Sequence, residues 1–181
     1  MDLRIEKTRR AIRNALLTLL SEKELEKIKV SELCRLAEID KSTFYLHYHD
    51  LTDLCHQLQQ EAVHQVLSKF PDPTEALTDS ASAIRKIQEA IGSELPLFSL
   101  LFSGSQLLQF PYVLTQELKD AIFALYPKYR DDVQMNVHLT YHVYGGFHAY
   151  IDNQDSFTPE ALLEAIREAY KALERKDDVN H

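Results

Sequence analysis

Aromatic and imidazole side chains are concentrated in the segment KSTFYLHYHD, residues 41–50. Three aromatic rings and two histidines within ten positions are compatible with a metal site, a buried aromatic cluster or a surface that contacts a partner. A second pair of histidines, His138 and His142, has the i, i+4 spacing of a metal-capable helix face. Which chemistry applies depends on the elements that carry these residues.

Metal binding and catalysis have little support in the sequence. No His-Glu-x-x-His motif accompanies His138 and His142, and Cys34 and Cys55 form no Cys-x-x-Cys pair. A Ser/His/Asp or Cys/His catalytic set cannot be assembled without assuming geometry. We therefore expect no metal, no cofactor and no enzymatic activity, with a helical metalloenzyme as a minor alternative.

Charge is divided unevenly along the chain. Residues 1–50 hold 10 Lys and Arg against 9 Asp and Glu, a net charge of +1, whereas residues 51–181 hold 10 against 19, a net charge of −9. Because an acidic surface repels phosphate, contact with a polyanion is expected of the N-terminal part alone.

Helical periodicity runs through the whole sequence. Only 4 glycines and 6 prolines interrupt 181 residues, and no alternating pattern typical of strands is present. We predict an all-α fold. Beyond a basic first helix, the predicted helices cover residues 30–37, 51–70, 75–92, 96–104, 106–126, 131–152 and 159–175, with a short helix after Asp40. Asp40 and Asp50 are predicted N-caps, each accepting from backbone amides of the helix that follows. No 18-residue apolar run and no signal sequence are found, so we expect a soluble cytoplasmic protein.

The opening segment falls on the second of two short helices joined by a tight turn. This order predicts a helix-turn-helix, whose second helix can enter a DNA major groove. Phe44 and Tyr48 are four residues apart and are expected to pack inward. The remaining residues of that helix then point outward; they are Lys41, Ser42, Tyr45 and Leu46.

The stretch TRRAIRNALLTLL…IKVSELCRLAEIDKSTFYLHYHDLTDL resembles the N-terminal domain of the TetR family of transcriptional regulators. The resemblance covers about 50 residues and includes the basic first helix, the V-S-E-L start of the second helix and the T-F-Y-x-H-Y element. It implies a DNA-binding domain at 1–50 and a helical effector-binding and dimerisation domain at 51–181. The family usually has Gly where this chain has Glu38, which predicts a slightly different turn, and often has Lys where this chain has Leu51.

The same resemblance implies which residues contact double-stranded DNA. Lys41 is the candidate reader of a guanine edge, while Tyr45, His47 and Lys29 are expected to meet phosphate. The resemblance carries over the recognition-helix residues Lys41, Ser42, Thr43, Tyr45 and His47. Lys7, Arg9 and Arg10 are expected, as cations, to approach the flanking phosphate backbone, and with Lys29 they complete the predicted DNA-binding set.

Two adjacent glycines, Gly145 and Gly146, interrupt a helical pattern at a cost of about 2 kcal/mol relative to alanines. Close packing of another element is one explanation. In the TetR family the last two helices pair with those of a second subunit, so we expect a homodimer. The predicted interface consists of Gly145, Gly146, Leu162, Ile166, Ala169 and Leu173.

An apolar, aromatic segment lies between these regions, LPLFSLLFSGSQLLQFPYVL. Its aromatic residues are in the first place candidates for the core. The family resemblance implies that some line a pocket for a small apolar or aromatic effector, and the predicted lining is His64, Phe98, Phe102, Tyr112, Tyr141 and Tyr144. The expected function is a repressor released from a palindromic operator by this effector. The alternative is a regulator or coactivator that responds to a protein partner, as the similarity of the C-terminal half to dihydroxyacetone-kinase regulators suggests.

Overall fold

A computed structural model describes residues 3–69, 73 and 80–177, and their side chains except those of residues 80, 81, 84 and 173–177. Every regular element in these residues is helical, which confirms the all-α prediction. The α-helices are α1 (Leu3–Leu20), α2 (Val30–Leu36), α3 (Lys41–Tyr45), α4 (Leu51–Leu67), α5 (Ser80–Ser93), α6 (Leu95–Leu101), α7 (Gln109–Leu125), α8 (Val133–Ile151) and α9 (Pro159–Asp177). Short 3-10 turns occupy Leu25–Lys27, Gly104–Leu108 and Pro127–Tyr129.

The chain divides into two compact units. The first consists of Met1–Ala62 and Glu94–Phe110, and the second of Val63–Ser93 and Pro111–His181. The sequence prediction placed the division after residue 50, so the observed first unit is larger on two counts: it includes three turns of α4 and the whole of α6.

The core of the first unit joins α1, α2 and α4. Ile12, Leu16, Leu33 and Leu54 are each 0% exposed and define its centre. Helix α6 packs against α1, and Phe98, Phe102 and Phe110 form an aromatic cluster with ring centroids 5.2–6.2 Å apart.

A buried side-chain amide, that of Gln59, also holds the segment Glu94–Phe110 in place. Gln59 is 1% exposed, and its Nε2 donates to the carbonyl of Leu101 at 2.7 Å. Ser105 donates its hydroxyl to the carboxylate of Glu26, which lowers the pKa of Glu26. The Glu94–Phe110 segment is therefore held to the first unit by a satisfied buried polar group as well as by apolar packing.

The second unit is built around α9, which contacts both α5 and α8. Leu162, Ile166 and Tyr170 recur every four residues along α9 and are all buried, whereas α8 buries Leu139. Helix α8 starts at a side-chain cap, because the Asp132 carboxylate accepts from the Met135 amide at 3.0 Å. The predicted helix at 131–152 is thus observed, while the start of the predicted helix at 75–92 lies outside the described residues.

In the part of the chain described, no single helix is long and apolar enough to cross a membrane. Among the described residues, Leu95–Leu101 and Gly104–Leu125 reach the required length and hydropathy together, as a pair with a sharp bend between them.

Candidate nucleic-acid interface

Helices α2 and α3 are joined by a four-residue turn, residues 37–40. Helix α2 ends in a Schellman arrangement: the Ile39 amide donates to the Cys34 carbonyl at 3.0 Å, and the Glu38 amide to the Arg35 carbonyl at 3.4 Å. This geometry requires a left-handed residue, and Glu38 adopts it with φ 55°. Glu38 thus adopts the left-handed backbone conformation that glycine favours, at a cost of about 1–2 kcal/mol.

The inward face of α3 is aromatic. Phe44 is 0% exposed and Tyr48 is 5% exposed, with ring centroids 5.8 Å apart, so the predicted inward packing is confirmed. Burial raises the pKa of Tyr48. Helix α3 itself is short, as predicted, since it covers only Lys41–Tyr45. The buried rings extend beyond it and hold the following turn in place.

The outward face of α3 carries the residues expected to face DNA. Lys41, Ser42 and Tyr45 are exposed, while Thr43 and His47 are half-buried. Lys41 and Tyr45 are four residues apart, so they share one row of the helix surface. Tyr45 also packs its edge against the Phe44 ring at 5.3 Å, which restricts where its hydroxyl can lie.

The two predicted aspartate caps differ in outcome. Asp40 occupies the N-cap position of α3 with extended backbone, but its carboxylate makes no capping hydrogen bond, so that prediction is wrong. Asp50 accepts from the Asp53 amide at 2.8 Å, as predicted. Asp53 in turn accepts from the His49 amide at 2.9 Å, which lowers the pKa of Asp53. The two bonds together tie His49 and Asp50 to the first turn of α4.

Basic residues of the first unit differ in whether they form ion pairs. Arg13 pairs with Glu61 at 2.5 Å, Lys23 with Glu32 at 2.7 Å and Lys27 with Glu24 at 2.8 Å. Exposed cations that form no ion pair with any described residue include Lys7, Arg9, Arg10, Lys29, Arg35 and Lys41. All of these except Arg35 are predicted to contact DNA. Their charge is available to an external anion, whereas that of the paired residues is used within the unit.

The structure distributes the predicted pocket residues over both units. Phe98 and Phe102 are 5% and 7% exposed and belong to the aromatic core of the first unit. In the second unit Tyr112 and Tyr141 are 45% and 61% exposed, and Tyr144 is half-buried. His64 is exposed and approaches the Glu117 carboxylate at 3.2 Å. For Phe98 and Phe102 the core interpretation therefore accounts for the observed packing.

Three of the predicted dimer residues are used within the chain. Leu162 and Ile166 are 6% and 8% exposed, and a Cβ added at Gly146 would overlap the hydroxyl of Tyr170. Gly145 has no heavy atom within 4 Å of an added Cβ, and Ala169 is exposed. The side chain of Leu173 lies outside the described residues.

An exposed apolar row on α8 was missed by the sequence analysis. Val133, Val137 and Tyr141 are 74%, 61% and 61% exposed and are spaced by four residues, in line with Gly145. The i, i+4 spacing was visible in the sequence, but which face of α8 the chain covers was not.

The histidine pair on α8 is part of a stack. The ring centroids of His138 and His142 are 4.0 Å apart, and His142 lies 4.6 Å from the ring of Tyr170 at an interplanar angle of 12°. Tyr170 donates its hydroxyl to the carbonyl of His142. No group of three or more His, Cys, Asp or Glu side chains that could hold a metal occurs among the described residues.

Comparison with models of known protein families gives no match, and no curated protein matches the chain significantly.

Proposed function

We propose that this chain is a DNA-binding transcriptional regulator of the TetR type, acting as a repressor. One observation carries the proposal. The α2–turn–α3 element buries Phe44 and Tyr48 and leaves Lys41, Ser42 and Tyr45 exposed. A short helix whose inner face is anchored and whose outer face is rich in donors suits the major groove, where guanine offers two acceptors to Lys41.

The unpaired cations support the same function. Lys29 lies immediately before α2, which contacts α3, and Arg9 and Arg10 lie on α1, which contacts α2. Contacts of such cations with phosphate position a protein on the DNA backbone without reading sequence. The net charge of −9 beyond residue 50 disfavours polyanion contact elsewhere.

A homodimer is the second part of the proposal. A single helix-turn-helix contacts only one half-site, so two copies related by a twofold axis are needed for a palindromic operator. The exposed row on α8, which consists of Val133, Val137, Tyr141 and Gly145, is an apolar face. Gly145 at its end carries no side chain, so another helix could approach closely there. Ala161, Ala165 and Ala169 are exposed on α9 and add small side chains. We therefore assign the interface to these exposed residues in place of Gly146, Leu162 and Ile166.

Regulation by a small apolar or aromatic effector is the third part. In one conformer of the dimer the two helix-turn-helix elements match the spacing of the operator, and in another they do not. Effector binding shifts the population from the first conformer to the second. A protein partner is the alternative, and the exposure of Tyr112, which lies outside the proposed dimer interface, favours it, because an exposed ring suits a protein surface better than an enclosed ligand.

Selection of bound sequences from random double-stranded DNA tests the proposal. We expect an inverted repeat to be enriched, with an affinity that falls steeply as salt increases because several phosphates are neutralised. Lys41→Ala should lose base preference at one position per half-site, whereas Lys69→Ala, a lysine in the second unit, should change nothing. The absence of DNA binding at low salt would refute the proposal.

A further inference from the structure

The outer face of α3 ends in an exposed leucine. Leu46 is 82% exposed, the highest value among the large hydrophobic residues that the structure describes. Its backbone is nevertheless ordered by helical bonding, since its amide donates to the Ser42 carbonyl at 3.1 Å. Leu46 therefore stands one turn after Ser42 on the same face.

This placement gives the face two chemically different ends. Lys41 and Ser42 at the start of α3 carry hydrogen-bond donors, whereas Leu46 at its end presents apolar surface. The burial of Phe44 and Tyr48 fixes the rotation of the helix, so Leu46 cannot turn inward without exposing one of those rings.

We infer that Leu46 is a specificity-determining residue that contacts the C5 methyl group of a thymine in the operator. The inference rests on the proposed DNA-binding function. Thymine methyl is the apolar group that base edges present in the major groove. DNA is favoured as the occupant over a protein because Leu46 lies one turn after Ser42 on the exposed side of a helix whose first residue, Lys41, is also exposed and forms no ion pair with a described residue.

Lys41 and Leu46 are five residues apart, which is about 7.5 Å along a helix axis and about 140° around it. The two side chains are therefore expected to meet different base pairs. Sites selected from random DNA should carry a thymine in each half-site whose preference is lost in Leu46→Ala, at a position other than the one that Lys41 reads.

A double-mutant cycle between protein and DNA tests the contact. The operator selected with the wild-type protein is prepared with deoxyuridine replacing that thymine, which removes only the methyl group. We expect the wild-type protein to lose about fourfold in affinity per half-site. This factor corresponds to about 0.8 kcal/mol, the free energy of burying one methyl-sized group. Leu46→Ala should lose affinity for the thymine operator and should no longer distinguish thymine from uracil.

Leu108→Ala is the matched control. Leu108 is 61% exposed in the same unit but lies outside α2 and α3, so its truncation should leave both affinities unchanged. Thermal melting of Leu46→Ala should equal that of the wild type, since the side chain makes little contact with the protein.

The outcomes separate this inference from the function on which it rests. If no sequence is selected at all, the DNA-binding function fails and this inference fails with it. If a sequence is selected but Leu46→Ala still distinguishes thymine from uracil, or if the selected half-site carries no such thymine, only the role of Leu46 is overturned. A Leu46→Ala variant with unchanged DNA affinity but altered self-association would assign the residue to a protein contact.

Discussion

Alanine at two adjacent glycines of α8 should have opposite effects on stability. Gly145→Ala places a methyl group where no heavy atom lies within 4 Å. It should stabilise the second unit by up to about 1 kcal/mol, the difference in helix propensity. Gly146→Ala gains the same propensity, but its methyl group would overlap the Tyr170 hydroxyl.

The cost at Gly146 follows from how firmly Tyr170 is held. Tyr170 is 7% exposed, stacks on His142 and donates to the carbonyl of His142. Moving the ring costs about 1–3 kcal/mol of overpacking, and losing the hydrogen bond costs about 1 kcal/mol more. After the propensity gain, Gly146→Ala should destabilise the unit by about 1–3 kcal/mol.

Urea denaturation followed by circular dichroism measures both variants. It should be done at two protein concentrations, because dimerisation makes apparent stability concentration-dependent. Tyr170→Phe removes the overlapping hydroxyl and leaves its ring carbon Cζ 3.3 Å from the added methyl group. The double variant Gly146→Ala/Tyr170→Phe should therefore be no less stable than Tyr170→Phe alone. If Gly146→Ala proves as stable as Gly145→Ala, the close approach of α9 to Gly146 is refuted.

Four further predictions concern the first unit and the buried side chain of Tyr170. Phe44→Ala removes a fully buried ring and should cost about 3–5 kcal/mol in thermal denaturation, whereas Lys41→Ala should stay within about 0.5 kcal/mol; equal losses would contradict the division of α3 into two faces. Arg9→Ala should weaken binding to all DNA sequences alike and reduce the slope of affinity against salt by about 1, measured by fluorescence anisotropy. Glu38→Gly should stabilise the protein by about 1 kcal/mol in urea, since φ 55° is strained for Glu but not for Gly. Burial raises the pKa of Tyr170 to about 12, so the hydroxyl ionises in the unfolded chain at a lower pH than in the folded one, and stability should fall between about pH 10 and pH 12. This loss of stability should be smaller in Tyr170→Phe. If Tyr170→Phe loses as much stability over this range as the wild type, the result would count against the buried hydroxyl.

Local sequence pattern was enough to identify the helices and the two faces of α3. The spacing of Phe44 and Tyr48 places both on one side of a helix whatever surrounds it, and both are buried. The Asp50 cap could be predicted for the same reason, because it involves residues close together in the chain. The Asp40 cap failed because the carboxylate of an N-cap residue can point to solvent while its backbone still starts the helix.

The sequence by itself determined the all-α fold and which residues of α3 point outward, because both depend on periodicity within a single helix. Tertiary structure alone decided the partner of each helix face. It assigned Phe98 and Phe102 to the core of the first unit and filled the space beside Gly146 with Tyr170, which lies on another helix of the same chain. It also left Val133, Val137 and Tyr141 uncovered. Contacts between residues distant in sequence depend on how whole helices dock, and a periodic pattern shows that a face is apolar without showing what covers it.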